Sequence, residues 1–302
     1  QSCYKLIISP FKENLASSNH LIVIPDGKLN YLSFESLVSD ENNDYLIQHH
    51  EVSYSPSLSL WYLTNRSKRS VNENKKLIAA FAPVYSDSYY SQSRKANNNR
   101  LENIEGATKE AKAIVESYGG DLYLSNNASK QDFVKQANNY SIFHLAMHTI
   151  YDDEASENSK LVFQNEETMS FNELYNLDFP AELVVLSACN TGIGELKAGE
   201  GMQSLSQALV YSGANSSVYS LWPVPDRETA QIMQLFYENL KNGASKSAAL
   251  AKAKRVFLEN NPLHQHPYFW AGFVVQGNQN AIVESSNSLV YWLIFGFSII
   301  LF

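Results

Sequence analysis

Apolar runs and the turns between them divide this chain into short strands alternating with amphipathic helices. Residues 76–82 (KLIAAFA), 141–147 and 182–188 are near-continuous apolar runs of strand length, the pattern of strands buried on both faces. Ile104, Ala107, Ala111, Ile114, Val115 and Tyr118 recur at helical spacing. Gly119-Gly120 then stops that helix before a short strand at 122–124. Ser129 caps a helix running to Asn138, and helices are expected over 57–63, 170–176, 202–212, 227–241 and 245–259. Further strands are expected at 160–164, 216–221 and 269–275. Near the start, residues 21–25 and 29–32 flank Asp26-Gly27, which predicts a hairpin. Alternating strands and helices imply an α/β sandwich, a mainly parallel sheet with helices on both faces. Residues 85–103 are rich in Ser, Tyr and Asn with few aliphatic side chains, and predict a mobile surface loop within the domain.

Domain boundaries follow from the same pattern. One globular unit covers 1–278, residues 279–287 link it onward, and residues 288–302 (SLVYWLIFGFSIILF) carry no charge. Every face of a helix there is apolar, with Tyr291 and Trp292 placed like an interfacial belt, so this segment is expected to enter a membrane rather than dock on the core. Fifteen helical residues span about 22 Å against a hydrocarbon core of about 30 Å, so the transmembrane run is either short or cut off at the chain end. No Lys or Arg follows Arg255, which leaves orientation undetermined by charge. The chain begins at Gln1 with neither an initiator Met nor a signal-peptide pattern, and reads as a segment or a processed product.

A chain of 302 residues accommodates one large α/β domain with extensions. Its 23 Lys+Arg against 31 Asp+Glu, a formal charge of -8, argue against nucleic acid as a partner, because a phosphate backbone needs a basic footprint. Two cysteines, Cys3 and Cys189, make no disulfide framework and no thiolate zinc site, and no cofactor motif follows a strand. A reducing compartment, with the globular domain on the cytoplasmic side, is expected.

Two of the buried runs end on reactive side chains, His148 after residues 141–147 and Cys189 after residues 182–188. In open parallel sheets, catalytic groups gather at the carboxyl ends of strands. The 41 residues between the two suit a strand-helix-strand unit that brings neighbouring strand ends within side-chain reach. Cys189 as thiolate would then attack a carbonyl carbon, with His148 taking the thiol proton. Backbone N–H groups of Thr149 and Cys189 would hold the oxyanion. The plain reading competes: Cys189 as a small inert hydrophobe and His148 as a hydrogen-bonded core residue. His144 shares the face of His148 but lies inside the strand, so it is expected to be buried structure.

Five separated motifs carry a family resemblance. They are Phe143-His144-Leu145-Ala146-Met147-His148, Val184-Val185-Leu186-Ser187-Ala188-Cys189-Asn190-Thr191-Gly192, Gly199-Glu200-Gly201, Ser220-Leu221-Trp222-Pro223-Val224-Pro225-Asp226 and His266-Pro267-Tyr268-Phe269-Trp270-Ala271-Gly272-Phe273. In order and style they resemble the CHAT domain, a member of the caspase-like clan of cysteine peptidases that also contains separases and gingipains. The resemblance runs from about Leu21 to about Gly277. It implies a caspase-like three-layer α/β/α sandwich, catalytic His148 and Cys189, and cleavage of protein substrates through an acyl-enzyme. It also implies regulation by a partner protein or an upstream tetratricopeptide region. Family members commonly carry His-Gly where this chain has His148-Thr149, so the oxyanion hole depends on an ordinary, not left-handed, backbone at Thr149. In the related separases an acidic residue after a Leu-Trp motif serves a basic P1 side chain. Asp226, after Leu221-Trp222, occupies a similar place, with Trp222 as core or pocket wall. Asp226 serves equally well as the N-cap of a helix beginning at Arg227. Two functions stay open: a membrane-tethered cysteine endopeptidase, or a caspase-like scaffold without catalysis.

Overall fold

The computed structural model describes residues 2–39, 44–66, 75–85, 103–150, 159–187, 196–197, 201–202, 205–222 and 224–282. Short helices α1 (Ser2–Ile7) and α2 (Lys12–Leu15) lead to strand β1 (His20–Val23). Strand β2 (Glu51–Tyr54), helix α3 (Leu58–Arg66), strand β3 (Lys76–Ala82), helix α4 (Glu105–Tyr118) and strand β4 (Asp121–Leu124) follow. Next come α5 (Lys130–Gln136), β5 (Tyr140–Leu145), β6 (Thr149–Ile150), β7 (Lys160–Val162), β8 (Thr168–Ser170), α6 (Phe171–Tyr175) and β9 (Leu183–Leu186). The chain closes with β10 (Leu196–Lys197), β11 (Gly201–Met202), α7 (Leu205–Tyr211), β12 (Ser216–Ser220), α8 (Asp226–Lys241), α9 (Lys246–Asn260) and β13 (Phe273–Gly277).

Eight strands form one sheet in the order β1-β2-β13-β12-β9-β5-β3-β4. Every neighbouring pair is parallel except β12 with β13. Successive residues of a strand point to opposite faces, and the two cores divide accordingly. Ile142, Leu183 and Val185 pack with Ile114 of α4, Phe236 of α8 and Leu250 of α9. Phe143, Leu145, Val184 and Leu186 pack with Phe133 of α5, Phe171 of α6 and Leu209 of α7. Three layers result, with the central strands apolar on both sides. Capping follows the sequence: Ser129 accepts from the Asp132 N–H, Ser170 and Glu173 form a reciprocal box, and Ser245 accepts from the Ala248 N–H.

The hairpin expected around Asp26-Gly27 does not form. Asp26 instead accepts from the Gly27 N–H and starts a 3-10 turn over Gly27–Tyr31, with Gly27 at φ +55. β1 finds its partner in β2, pairing in parallel from His20 with Glu51 to Val23 with Tyr54. An Asp-Gly pair suits a tight hairpin or a capped helical turn, and here residues 27–31 take the helical turn. The strand expected at 269–275 starts later, because Pro267–Phe269 forms a 3-10 turn before β13.

Candidate active site

Parallel strands β5 and β9 pair Leu145 with Leu186. His148 stands three positions beyond Leu145 and Cys189 three beyond Leu186. Paired strands lie about 4.8 Å apart, so the two chain exits leave the sheet side by side at its carboxyl end. Ser187 continues the ladder by donating its N–H to the Leu145 carbonyl at 3.0 Å. Cys189 itself, and the acidic Asp152, Asp153 and Glu154 after the histidine, lie outside the described residues.

His148 is half-buried and leads into β6, whose Thr149 is opposite Leu161 of β7. The Val162 N–H donates to the His148 carbonyl at 3.0 Å. The return bond is not direct: the His148 N–H donates to the Tyr85 hydroxyl at 3.0 Å, and that hydroxyl donates to the Val162 carbonyl at 2.7 Å. The Tyr85 and His148 rings lie 4.7 Å apart at 52°. Bonded and non-bonded pairs alternate along an antiparallel ladder. Since 148 and 162 form the bonded position, the Thr149 N–H points away from β7. Positive φ occurs among the described non-glycine residues only at Ser125, Asn165 and Glu166, so the backbone of Thr149 is the ordinary one that a donor role requires. Tyr85, expected in a surface loop, is 7% exposed. Its ring is buried at the exit of β3 and its hydroxyl finds two partners there, while residues 86–102 lie outside the described residues.

His144, on β5, is fully buried as its place in the strand predicts. Its Nδ1 and the Tyr237 hydroxyl are 3.1 Å apart, and its Nε2 is 3.2 Å from Glu110 Oε1. The same Oε1 accepts from the Ser187 hydroxyl at 2.8 Å. Helix α4, helix α8 and the ends of β5 and β9 are thereby tied together just beneath the strand exits. Sequence reasoning missed Glu110, yet a signal existed: it falls on the helix face shared by Ala107, Ala111 and Ile114. A carboxylate on an apolar face needs a buried partner.

A small cleft opens beside these residues, lined by Gly106, Glu110, Ser187, Ser220, Asp226 and Phe273, among others. Helix α8 begins at Asp226 itself, with Pro225 in the cap position and no side-chain cap bond. The helix-cap role expected for Asp226 is therefore not taken, and its exposed side chain borders the cleft. It rests against Gly106, where an added Cβ would meet the Asp226 carboxylate at 2.8 Å. Trp222 packs over Gly272, and its indole N–H donates to the Tyr268 carbonyl at 3.1 Å. Trp270 is fully buried and donates to the Gln265 carbonyl. Among the described residues, no cluster of His, Cys, Asp and Glu is arranged to hold a metal ion, and no helix is long and apolar enough to cross a membrane. The apolar run at 288–302 lies outside the described residues.

Solved structures share this architecture. The Arg-specific cysteine proteinase gingipain R superimposes with a TM-score of 0.60 at 11% identity, covering 93% of this chain and 68% of that one. Separase, from the Saccharomyces cerevisiae separase-securin complex, gives 0.56 at 13%, covering 86% of this chain and 15% of that one. Tetratricopeptide repeat protein 28 of Homo sapiens is 24% identical over 96% of this chain, and that of Mus musculus 22% identical over 96%. The chain spans 13% and 14% of the length of those two proteins. The fold is thus that of the caspase-like peptidases, a mainly parallel sheet between two helical layers. Residues 1–278 match the CHAT domain, and the chain belongs to that family.

Proposed function

We propose that this chain is a cysteine endopeptidase working through His148 and Cys189. The observation that carries the reading is the register of β5 on β9, which makes the exits toward His148 and Cys189 neighbours at the carboxyl end of the sheet. His148 accepts the thiol proton, and the Cys189 thiolate forms a bond to the substrate carbonyl carbon. The resulting oxyanion is held by the N–H groups of Thr149 and Cys189, and its collapse breaks the peptide C–N bond as His148 returns the proton to the leaving amine. Water then hydrolyses the thioester. Thr149 supports this role through its extended backbone and an N–H aimed away from β7.

Asp226 is the substrate-binding group in the reading, its carboxylate at the cleft accepting a Lys or Arg side chain at P1, with Trp222 bracing the same loop. A partner protein or an upstream region controls the enzyme, and residues 288–302 tether it to a membrane, supported by fifteen residues without a charge. The globular domain is cytoplasmic in this scheme, in keeping with an unpaired Cys3. The second reading, a caspase-like interaction module, draws on Thr149 in place of the family's glycine and on curated relatives described by their repeats. Profiling a peptide library with the wild type and Cys189→Ala decides between them. The peptidase reading predicts cleavage after Lys or Arg that Cys189→Ala abolishes, and a loss of the basic preference in Asp226→Asn. No cleavage by the wild type contradicts it.

A further inference from the structure

The hydroxyl of Tyr85 occupies the place of a ladder hydrogen bond between β6 and β7, at the residue on which the proposed chemistry depends. Two strands in direct register at 148 and 162 would exchange both N–H···O bonds. Here one is direct, from the Val162 N–H to the His148 carbonyl, and the other runs through Tyr85 as a two-bond bridge of 3.0 and 2.7 Å. A bridge is longer than a single bond, so the 148–162 pair is splayed: it stays closed at the direct Val162 bond and is opened at the His148 N–H, where the hydroxyl sits. The bridge comes from a third segment, the exit of β3, which is itself pinned where the Val84 N–H donates to Gln164 Oε1 at 2.9 Å. Gln164 in turn donates its backbone N–H to the Ala128 carbonyl at 3.0 Å. Burial keeps the Tyr85 phenol protonated far above neutral pH, so it always has a proton to give Val162.

We infer that Tyr85 is a positioning residue for catalysis: its hydroxyl keeps the 148–162 pair splayed at the His148 N–H and so sets both the His148 imidazole and the Thr149 N–H. This rests on the peptidase reading above. The ring adds a second constraint, because its contact with the imidazole at 4.7 Å limits the rotations open to His148. Tyr85 is buried, so its effect is on geometry alone. Without the hydroxyl, the His148 N–H and the Val162 carbonyl lose this bridge until the splayed pair closes into a second direct bond. Closure moves His148 and Thr149 together.

The test is Tyr85→Phe, which keeps the ring and removes only the bridge. In the active full-length protein, kcat is expected to fall about 10- to 100-fold with KM within about twofold, since misplacement by about an ångström costs this much without weakening binding. The backbone amide resonances of His148 and Thr149 are expected to shift more than those of β5. Gln164→Ala, which loosens the loop and leaves the hydroxyl in place, should lower kcat in the same direction by less. Wild-type kcat in a folded Tyr85→Phe protein, or amide resonances unmoved at both positions, overturns the inference. Failure of the wild type to cleave any peptide overturns the peptidase reading and with it the catalytic half of this one, while the amide shifts still decide whether Tyr85 sets the geometry of β6.

Discussion

His144 and His148 are four residues apart on one chain segment, and their surroundings differ in kind. His144 is inside β5 with no exposure, held through its ring nitrogens between Glu110 of α4 and Tyr237 of α8. His148 is past the strand end and half-buried, and Tyr85 grips it by its backbone N–H and one ring face. The first arrangement locks an imidazole into the core. The second places an imidazole past the strand end and holds it through its main chain and one ring face, where the proposed reading puts a proton-exchanging group. In the proposed reading, position relative to the end of a parallel strand, not residue type, separates structure from chemistry.

Substitutions at the two histidines should therefore split stability from activity. His148→Ala is expected to lower kcat/KM by about 10²- to 10⁴-fold, the usual worth of a general base, with the melting temperature little changed. His144→Ala should do the reverse. It leaves a cavity and strips Glu110 of a buried neighbour, so it is expected to cost about 2–4 kcal/mol in denaturant unfolding. Equal loss of stability in both variants would erase the distinction.

Tyr237→Phe sharpens the comparison at smaller scale. It removes one buried hydrogen bond to His144, worth about 1 kcal/mol near neutral pH. Burial, with Glu110 and Tyr118 adding to it, holds the Tyr237 phenol well above its ordinary range. Unfolded chains lose this proton near pH 10 and the folded protein keeps it, so the native state binds more protons there and stability falls as pH rises past about 10. The Phe variant lacks that loss. The gap in unfolding free energy between the two proteins is expected to narrow above pH 10, and a constant gap would count against a buried protonated Tyr237.

Periodicity made most of the central sheet legible. The runs at 76–82, 141–147 and 182–188 became β3, β5 and β9 because a strand buried on both faces has little freedom in composition. What escaped the pattern was tertiary. β1 pairs with a strand some thirty residues on, which no local turn signal announces. Tyr85 falls at the border of a Ser- and Asn-rich stretch and looked like its first residue, yet only its three-dimensional partners reveal it as core. Glu110 was readable as a charge on an apolar helix face, and Lys254 likewise: it is fully buried against Glu35 and the Phe273 carbonyl, among Leu250 and Phe257. Of the candidate site, His148, Thr149 and Asp226 were readable as candidates from motif and strand position, whereas the Tyr85 bridge and the Glu110 contacts beneath them needed elements far apart in sequence.

Activation of a Cys189 nucleophile by His148, as proposed, is open to one direct labelling test. Cys3 provides an internal reference, since it is free and exposed on α1. A peptide-based electrophile with a basic P1 residue should be mixed with the protein, and labelling of the two cysteines followed by mass spectrometry. Labelling of Cys189 well ahead of Cys3, lost in His148→Ala and retained in His144→Ala, is the predicted result. Equal, slow labelling of both cysteines, unaffected by His148→Ala, would contradict it.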